Sequence, residues 1–105
     1  DIIAAMDGEA LVFDCKACEQ RFFDLSRIEE NQHCAMRLWK ECGNSEGIFA
    51  IRYPFAGIYL FPYRNLEELA QEGIRTIPEN TARFYGTSFK AWKEGIMYCE
   101  NRNQQ

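Results

Sequence analysis

The dipeptide Asp7-Gly8 lies between two strand-like runs and constrains the fold more than any other feature of the chain. The runs cover residues 2–6 and 9–16. A two-residue type I′ turn needs positive φ at both central positions, which Asp-Gly adopts readily, so the pattern predicts a β-hairpin. With Asp7 and Gly8 as the turn residues, Met6 pairs with Glu9, and the remaining pairs follow one residue at a time.

This register brings charged side chains together at the open end of the hairpin. Asp1 lies directly across from Asp14, and Lys16 projects from the same face two residues further on. Opposed side chains have Cβ atoms roughly 4.5–5.5 Å apart, and like charges at that separation destabilise a sheet. Mg²⁺ would offset this repulsion, because it binds one or two carboxylates with waters and phosphate oxygens. The pattern predicts a magnesium site in which Lys16 stabilises developing phosphoryl charge. The alternative is a solvated strand end with a loose Asp–Lys pair.

The next part of the chain predicts a crossover helix. Ser26-Arg27-Ile28-Glu29 fits a capping box, so we expect a helix from Ser26 to about Glu41. Apolar residues recur at helical spacing and predict one buried stripe. The stripe comprises Ile28, Ala35, Leu38, Trp39 and Cys42. Gln32 shares this stripe, and a buried amide needs hydrogen-bond partners. It either bonds to the backbone or leans over the hairpin towards Asp14.

The remaining elements complete a mixed fold. Residues 48–53 and 58–61 are near-continuous apolar runs, which predict strands covered on both faces. Asn65 is expected to cap a short helix ending near Gly73, and residues 81–85 to form a helical turn. The order β-β-α-β-β-α predicts one α/β or mixed α+β domain over residues 1–105, with helices flanking a mixed central sheet. The core is expected to include Phe22, Phe23, Trp39, Phe49 and Phe61, and surplus aromatics could form a dimer interface.

Composition limits the class of protein. The chain has 105 residues, of which 47% are hydrophobic, so one packed domain is expected and disorder is not. No apolar run approaches a membrane span, and the odd number of five cysteines favours free thiols, so we expect a soluble, cytoplasmic protein. The net charge of −4 argues mildly against nucleic-acid binding. Because a strand begins at once after Asp1, we also expect further residues upstream.

The chain also contains a possible zinc site and two arginines that could bind an anionic ligand. Cys15-x-x-Cys18 with His33 could suggest zinc, but a structural zinc site needs four ligands and only one such cysteine pair exists. Cys15 is expected to point into the core, and His33 to lie on the helix surface. Arg21 and Arg27 flank the loop after the second strand, where phosphates would pass. Each arginine taken alone could equally be a solvated side chain, but together we expect Arg21 and Arg27 to bind phosphate groups, which are those of DNA if the chain is a nuclease.

Several sequence motifs of the chain resemble those of a known family. Asp1-Ile2-Ile3-Ala4 followed by Asp14-Cys15-Lys16 is similar to the PD-(D/E)XK nuclease motif, and the archaeal Holliday-junction resolvases have a similar start. Residues 22–28, Gln32 and residues 74–78 look more like the RecU-type resolvases of Gram-positive bacteria and their phages. The resemblance covers most of the chain to about Pro78.

The resemblance implies a restriction-endonuclease-like fold and a homodimer that cuts four-way DNA junctions with Mg²⁺ or Mn²⁺. It implies that Asp1 and Asp14 bind the metal, with the carbonyl of Cys15 as a third ligand. Lys16 would be the catalytic lysine and Gln32 an active-site support. The family also has an N-terminal helix with a further acidic ligand, which would precede Asp1. The alternatives are another repair or restriction nuclease, or an inactive DNA-binding or interaction module that kept the fold.

Overall fold

The computed structural model describes residues 2–6 and 9–95, and these residues form an α+β fold. The strands are β1 (Ile2–Met6), β2 (Glu9–Ala17), β3 (Phe22–Asp24), β4 (Ile48–Tyr53), β5 (Gly57–Pro62), β6 (Thr76–Pro78) and β7 (Thr87–Ser88). The helices are α1 (Glu30–Glu41), α2 (Tyr63–Gln71) and α3 (Ala82–Tyr85), with 3₁₀ turns at Leu25–Arg27 and Glu79–Thr81. Residues 89–95 are also helical.

The central sheet is mixed, as the element order predicted. Its strand order is β1-β2-β4-β5-β7, and a separate small sheet pairs β3 with β6. Strands β2 and β4 run parallel, while the other neighbouring pairs are antiparallel. A parallel pair requires a long crossover, and the segment containing α1 supplies it. The carboxyl ends of β2 and β4 therefore lie side by side.

The hairpin register is confirmed. Met6 pairs with Glu9, and the ladder continues to the pair Ile2 and Phe13. Both strands have the predicted positions, with β2 one residue longer than expected. The turn residues Asp7 and Gly8 lie outside the described residues, and so does Asp1. The predicted pairing of Asp1 with Asp14 stays a prediction.

The core lies mainly between the central sheet and the elements on one of its faces. Phe23, Phe49 and Phe61 are fully buried, as predicted. Phe22 was expected in the core but is 41% exposed, because β3 alternates and directs Phe22 outwards and Phe23 inwards. Trp39 is half-buried. None of the helices in the described part of the chain has the length and apolar character needed to cross a bilayer.

Helix α1 starts later and presents a different face than expected. Ser26 is in a 3₁₀ turn, where its N–H donates to Asp24 Oδ1 at 2.9 Å, and α1 begins at Glu30. That bond holds the pKa of Asp24 below its ordinary value. The predicted stripe was wrong, since Ala35, Leu38 and Cys42 are exposed and Met36 is the buried residue of the helix. Ile28 is buried but extended and precedes the helix, so its burial carried no information about the helical face.

One further prediction about local structure was wrong, and two short strands were missed. Asn65 does not begin α2, because that helix starts at Tyr63 and the Asn65 Nδ2 donates to the Tyr85 carbonyl oxygen at 2.9 Å. The short strands β3 and β6 were not predicted. Each has only three residues, too few for an alternating pattern to be recognised.

Candidate active site

A buried carboxylate lies near the carboxyl end of β2. Asp14 is 4% exposed, and the Lys16 Nζ lies 3.5 Å from its Oδ1. Asp14 pairs in register with Phe49 and Lys16 with Ile51, both of which are fully buried on β4. A carboxylate in such surroundings costs free energy unless a positive charge or hydrogen-bond donor compensates it. Lys16 supplies that charge, so this is not a solvated strand end.

Cys15 points away from the Asp14 face and is exposed, so the prediction that it faces the core was wrong. The face to which it belongs is only partly covered. Residues 89–95 cover it around Phe13, where the Trp92 ring packs edge-on at 5.9 Å between centroids. The cover does not bury Cys15 two residues further along β2. The orientation of the Cys15 side chain does not test its backbone carbonyl, which stays the predicted third metal ligand.

The donor chemistry at Asp14 fits a hard divalent cation. A carboxylate oxygen is the ligand type that Mg²⁺ prefers, and one or two carboxylates with waters are sufficient for it. Within residues 2–6 and 9–95, no three side chains of His, Cys, Asp or Glu cluster as a metal site. Asp1, the second predicted ligand, lies outside the described residues, so the metal site stays a prediction.

The loop that follows β2 is fixed by two arginines. Arg27 Nη1 donates to the Ala17 carbonyl oxygen at 2.9 Å, and its guanidinium lies over the Phe23 ring at 5.4 Å. Arg21 Nε donates to Glu79 Oε2 at 3.4 Å, and the Arg21 carbonyl oxygen accepts from the Glu79 N–H at 2.8 Å. Both arginines are exposed, so each keeps donors available to a phosphate beside the end of β2.

Sequence reasoning missed two residues in this region. Glu79 is a buried acid, 7% exposed, and Phe55 is 78% exposed at the turn between β4 and β5. The Arg21 guanidinium lies 5.0 Å from the centre of the Phe55 ring. Arg21 thus links three segments that are distant in sequence. No local pattern marks this cluster, because the contacts depend on the pairings of β3 with β6 and of β2 with β4.

Gln32 and His33 lie in the first turn of α1 and both have protein partners. Gln32 Oε1 accepts from the Glu29 N–H at 2.9 Å, which is one half of a capping box. His33 was expected on the surface but is half-buried, with its Nδ1 at 2.6 Å from the Tyr63 hydroxyl. Burial raises the pKa of Tyr63 to about 12. The backbone-bonded alternative for Gln32 is therefore observed, and its role at the active site stays a prediction.

Comparison with known proteins places the chain in a family. The family model of recombination protein U, RecU, matches residues 1–100. This chain belongs to the RecU family. No individual curated protein matches it. The match extends well beyond Pro78, where the resemblance by motif became vague.

RecU proteins are Holliday-junction resolvases that act in recombination. The family therefore associates this chain with branched DNA, despite its net charge of −4. Several cations of this RecU chain lie near the carboxyl ends of β2 and β4, namely Lys16, Arg21, Arg27 and Arg52. Asp14 pairs with Lys16 and Glu79 with Arg21, while Arg27 and Arg52 are exposed.

Proposed function

We propose that this chain is a Mg²⁺- or Mn²⁺-dependent endodeoxyribonuclease that cuts four-way DNA junctions. The observation that carries the proposal is the buried Asp14 carboxylate with Lys16 at 3.5 Å, near the end of a strand in a chain of the RecU family. A buried carboxylate beside a single lysine can also act as an oxygen ligand of Mg²⁺, which needs only one or two carboxylates together with waters.

Each residue of the site has a proposed task. If the register continues one pair beyond Ile2 and Phe13, Asp1 lies opposite Asp14, and these two acids with the Cys15 carbonyl would hold the cation. The cation, when bound, supplies charge neutralisation at the phosphate and lowers the pKa of attacking water. Lys16 stabilises negative charge that develops on the phosphoryl oxygens.

Residues outside the acidic pair position the substrate. Arg21, in the loop after β2, and Arg27, in the 3₁₀ turn after β3, would bind phosphates flanking the cut. Their contacts with Glu79 and the Ala17 carbonyl hold them in place before DNA arrives, which reduces the ordering cost of binding. Gln32, in the first turn of α1, would support the site from the helix.

A homodimer follows from the reaction. A four-way junction is resolved by two symmetric cuts, so two active sites related by a twofold axis are the simplest assembly. Sedimentation velocity should give the mass of two chains, and a monomer at the concentrations that cleave junctions would contradict this part of the proposal.

Cleavage of a four-way junction, a duplex and a flap of matched sequence tests the function. We expect the wild type to cut the junction preferentially in Mg²⁺. Lys16→Ala should lower the rate by about 10²–10³-fold, as loss of one transition-state donor does, with junction binding nearly unchanged. Lys40→Ala is the matched control, because Lys40 pairs with Glu46 at 3.5 Å on the surface.

The other outcomes favour the alternatives. Equal cleavage of junction and duplex would indicate a repair or restriction nuclease. Junction binding without cleavage or metal binding would indicate an inactive DNA-binding module. Wild-type cleavage by Lys16→Ala would contradict the assignment of the lysine.

A further inference from the structure

A shallow cleft lies beside the turn between β4 and β5, and its lining combines positive charge with exposed aromatic rings. We name it the hairpin-tip cleft. It has a volume of about 530 Å³, and its lining includes Arg52, Phe55, Ile58, Phe89 and Lys90. None of the described residues that line it is acidic. In a chain with a net charge of −4, an acid-free cationic surface favours an anionic ligand.

The hairpin-tip cleft continues along the face of the sheet that carries Cys15 and Arg52, which is opposite the face of Asp14. A neighbouring cleft of about 270 Å³ shares Arg52 and Ile58 with it and is also lined by Cys15 and Lys16, and none of the described residues that line it is acidic. Lys16 lies beside Ile51 in register, four residues before Phe55. β4 ends at Tyr53, so at about 3.3 Å per residue the strand extends roughly 7 Å past Lys16 before the turn that carries Phe55. That span corresponds to roughly two stacked nucleotides.

Both aromatic rings are held in position while their surfaces stay open to solvent. Phe55 is 78% exposed and lies under the guanidinium of Arg21, which the buried Glu79 fixes at 3.4 Å. Phe89 is 44% exposed and stacks on Trp92 with 6.1 Å between centroids. Rings that are already ordered lose little conformational entropy when a flat ligand stacks on them.

We propose that the hairpin-tip cleft binds unstacked nucleotides at the branch point of the DNA. Phe55 stacks on a base there, and Arg52 and Lys90 neutralise the adjoining phosphates. A basic groove with interleaved aromatic rings is the usual arrangement for binding single-stranded nucleic acid. The inference deepens the proposed function and rests on it, since it concerns how the same protein selects its DNA.

The hairpin-tip cleft would select junctions because the free-energy cost of exposing a base for stacking is lower at a branch point than in a duplex. Inserting a ring between the base pairs of a duplex requires unstacking, which costs a few kcal/mol per step. At the branch point the stack is already interrupted, so a ring can stack on the end base pair or on a freed base without that cost. Phe55 should therefore strengthen junction binding much more than duplex binding.

A binding experiment in EDTA, which prevents cleavage, tests the proposal. Junctions carry 2-aminopurine, a base whose fluorescence is quenched by stacking, next to the branch point. Phe55→Ala should weaken junction binding by roughly 5- to 100-fold, remove the fluorescence change and leave duplex binding within about twofold. Phe55→Trp should retain both properties of the wild type.

Phe84→Ala is the matched control. Phe84 is 69% exposed and lies under the Arg83 guanidinium at 5.0 Å, but it belongs to α3 and does not line either cleft. It should behave as the wild type does. Arg52→Ala and Lys90→Ala should each reduce the salt dependence of junction binding by about 0.7 in the logarithmic slope.

The outcomes separate the two proposals. Suppose that the wild type cleaves junctions in a Lys16-dependent way but that Phe55→Ala and Phe84→Ala bind junctions with equal affinity. The proposed role of the hairpin-tip cleft is then overturned, and the proposed nuclease function is retained. If the wild type binds no DNA, both are overturned. A change in the sedimentation of DNA-free Phe55→Ala would show that the ring lies in a contact between protein chains, which also overturns the proposal.

Discussion

The contact between Asp14 and Lys16 makes a prediction about stability that is independent of cleavage. Lys16→Met removes the ammonium group and keeps most of the side-chain volume. The Asp14 carboxylate, which is 4% exposed, then has no positive side chain beside it. At 3.5 Å, two unit charges attract by about 1 kcal/mol in water and about 5 kcal/mol at an effective dielectric constant of 20. Because the Lys16 side chain is still 15% exposed, we expect a coupling of about 2 kcal/mol, between these limits.

A double-mutant cycle of Asp14→Asn, Lys16→Met and both together measures this coupling by urea unfolding. In EDTA the coupling should be about 2 kcal/mol, which corresponds to roughly 8–16 °C in melting temperature for a domain of this size. In saturating Mn²⁺ it should fall, because a bound cation takes over the compensation of Asp14. A coupling near zero in EDTA would refute the ion pair. An unchanged coupling in Mn²⁺ would refute Asp14 as a metal ligand.

Three further predictions concern packing, pH and the helix cap. Gly86→Ala should lower the free energy of unfolding by about 1–3 kcal/mol, since a Cβ there would lie 2.8 Å from the Leu60 carbonyl oxygen. Gly95→Ala is its control, since a Cβ there would have no atom of the described residues within 4 Å. Equal urea midpoints for the two variants would contradict the packing around Gly86. The raised pKa of Tyr63, about 12 against 10.0, means that stability present below pH 10 falls as pH rises towards 12. Tyr63→Phe should reduce this alkaline loss by up to about 3 kcal/mol in urea unfolding, and an identical loss in both proteins would contradict the burial. Gln32→Ala should cost about 0.5–1 kcal/mol as a lost cap, while Gln32→Glu keeps an acceptor and the melting temperature. If Gln32 also supports the active site, Gln32→Glu should slow junction cleavage, and a wild-type rate would exclude that role.

The hairpin could be predicted from the sequence because local chemistry determines it. Asp7-Gly8 selects the turn type, and the alternation of side chains then fixes which residues oppose each other, from Met6 and Glu9 to Ile2 and Phe13. The positions of Asp14 and Lys16 on one face follow from the period of the strand. Their environment does not follow, because the burial of Asp14 depends on β4, which is 34 residues further along the chain at Ile48.

The features that were missed are those determined by tertiary contacts. The predicted buried face of α1 was wrong because Ile28, which was used to define it, is extended and precedes the helix. Arg21 meets Glu79 because β3 pairs with β6, a contact between segments about 54 residues apart at Phe23 and Ile77. Phe55 is brought to the same place by the parallel pairing of β2 with β4. The hairpin-tip cleft is likewise assembled from β4, β5 and the start of the helix at residue 89.

The most direct test of the account is isothermal titration of the protein with Mn²⁺, comparing the wild type with Asp14→Asn and Glu79→Gln. Glu79 is a second buried carboxylate, 7% exposed, whose partner is Arg21, so Glu79→Gln controls for the loss of a buried charge. We expect that the wild type and Glu79→Gln bind Mn²⁺ and that Asp14→Asn loses this binding. Equal Mn²⁺ binding by Asp14→Asn, or no binding by the wild type, would contradict a metal-dependent nuclease centred on Asp14.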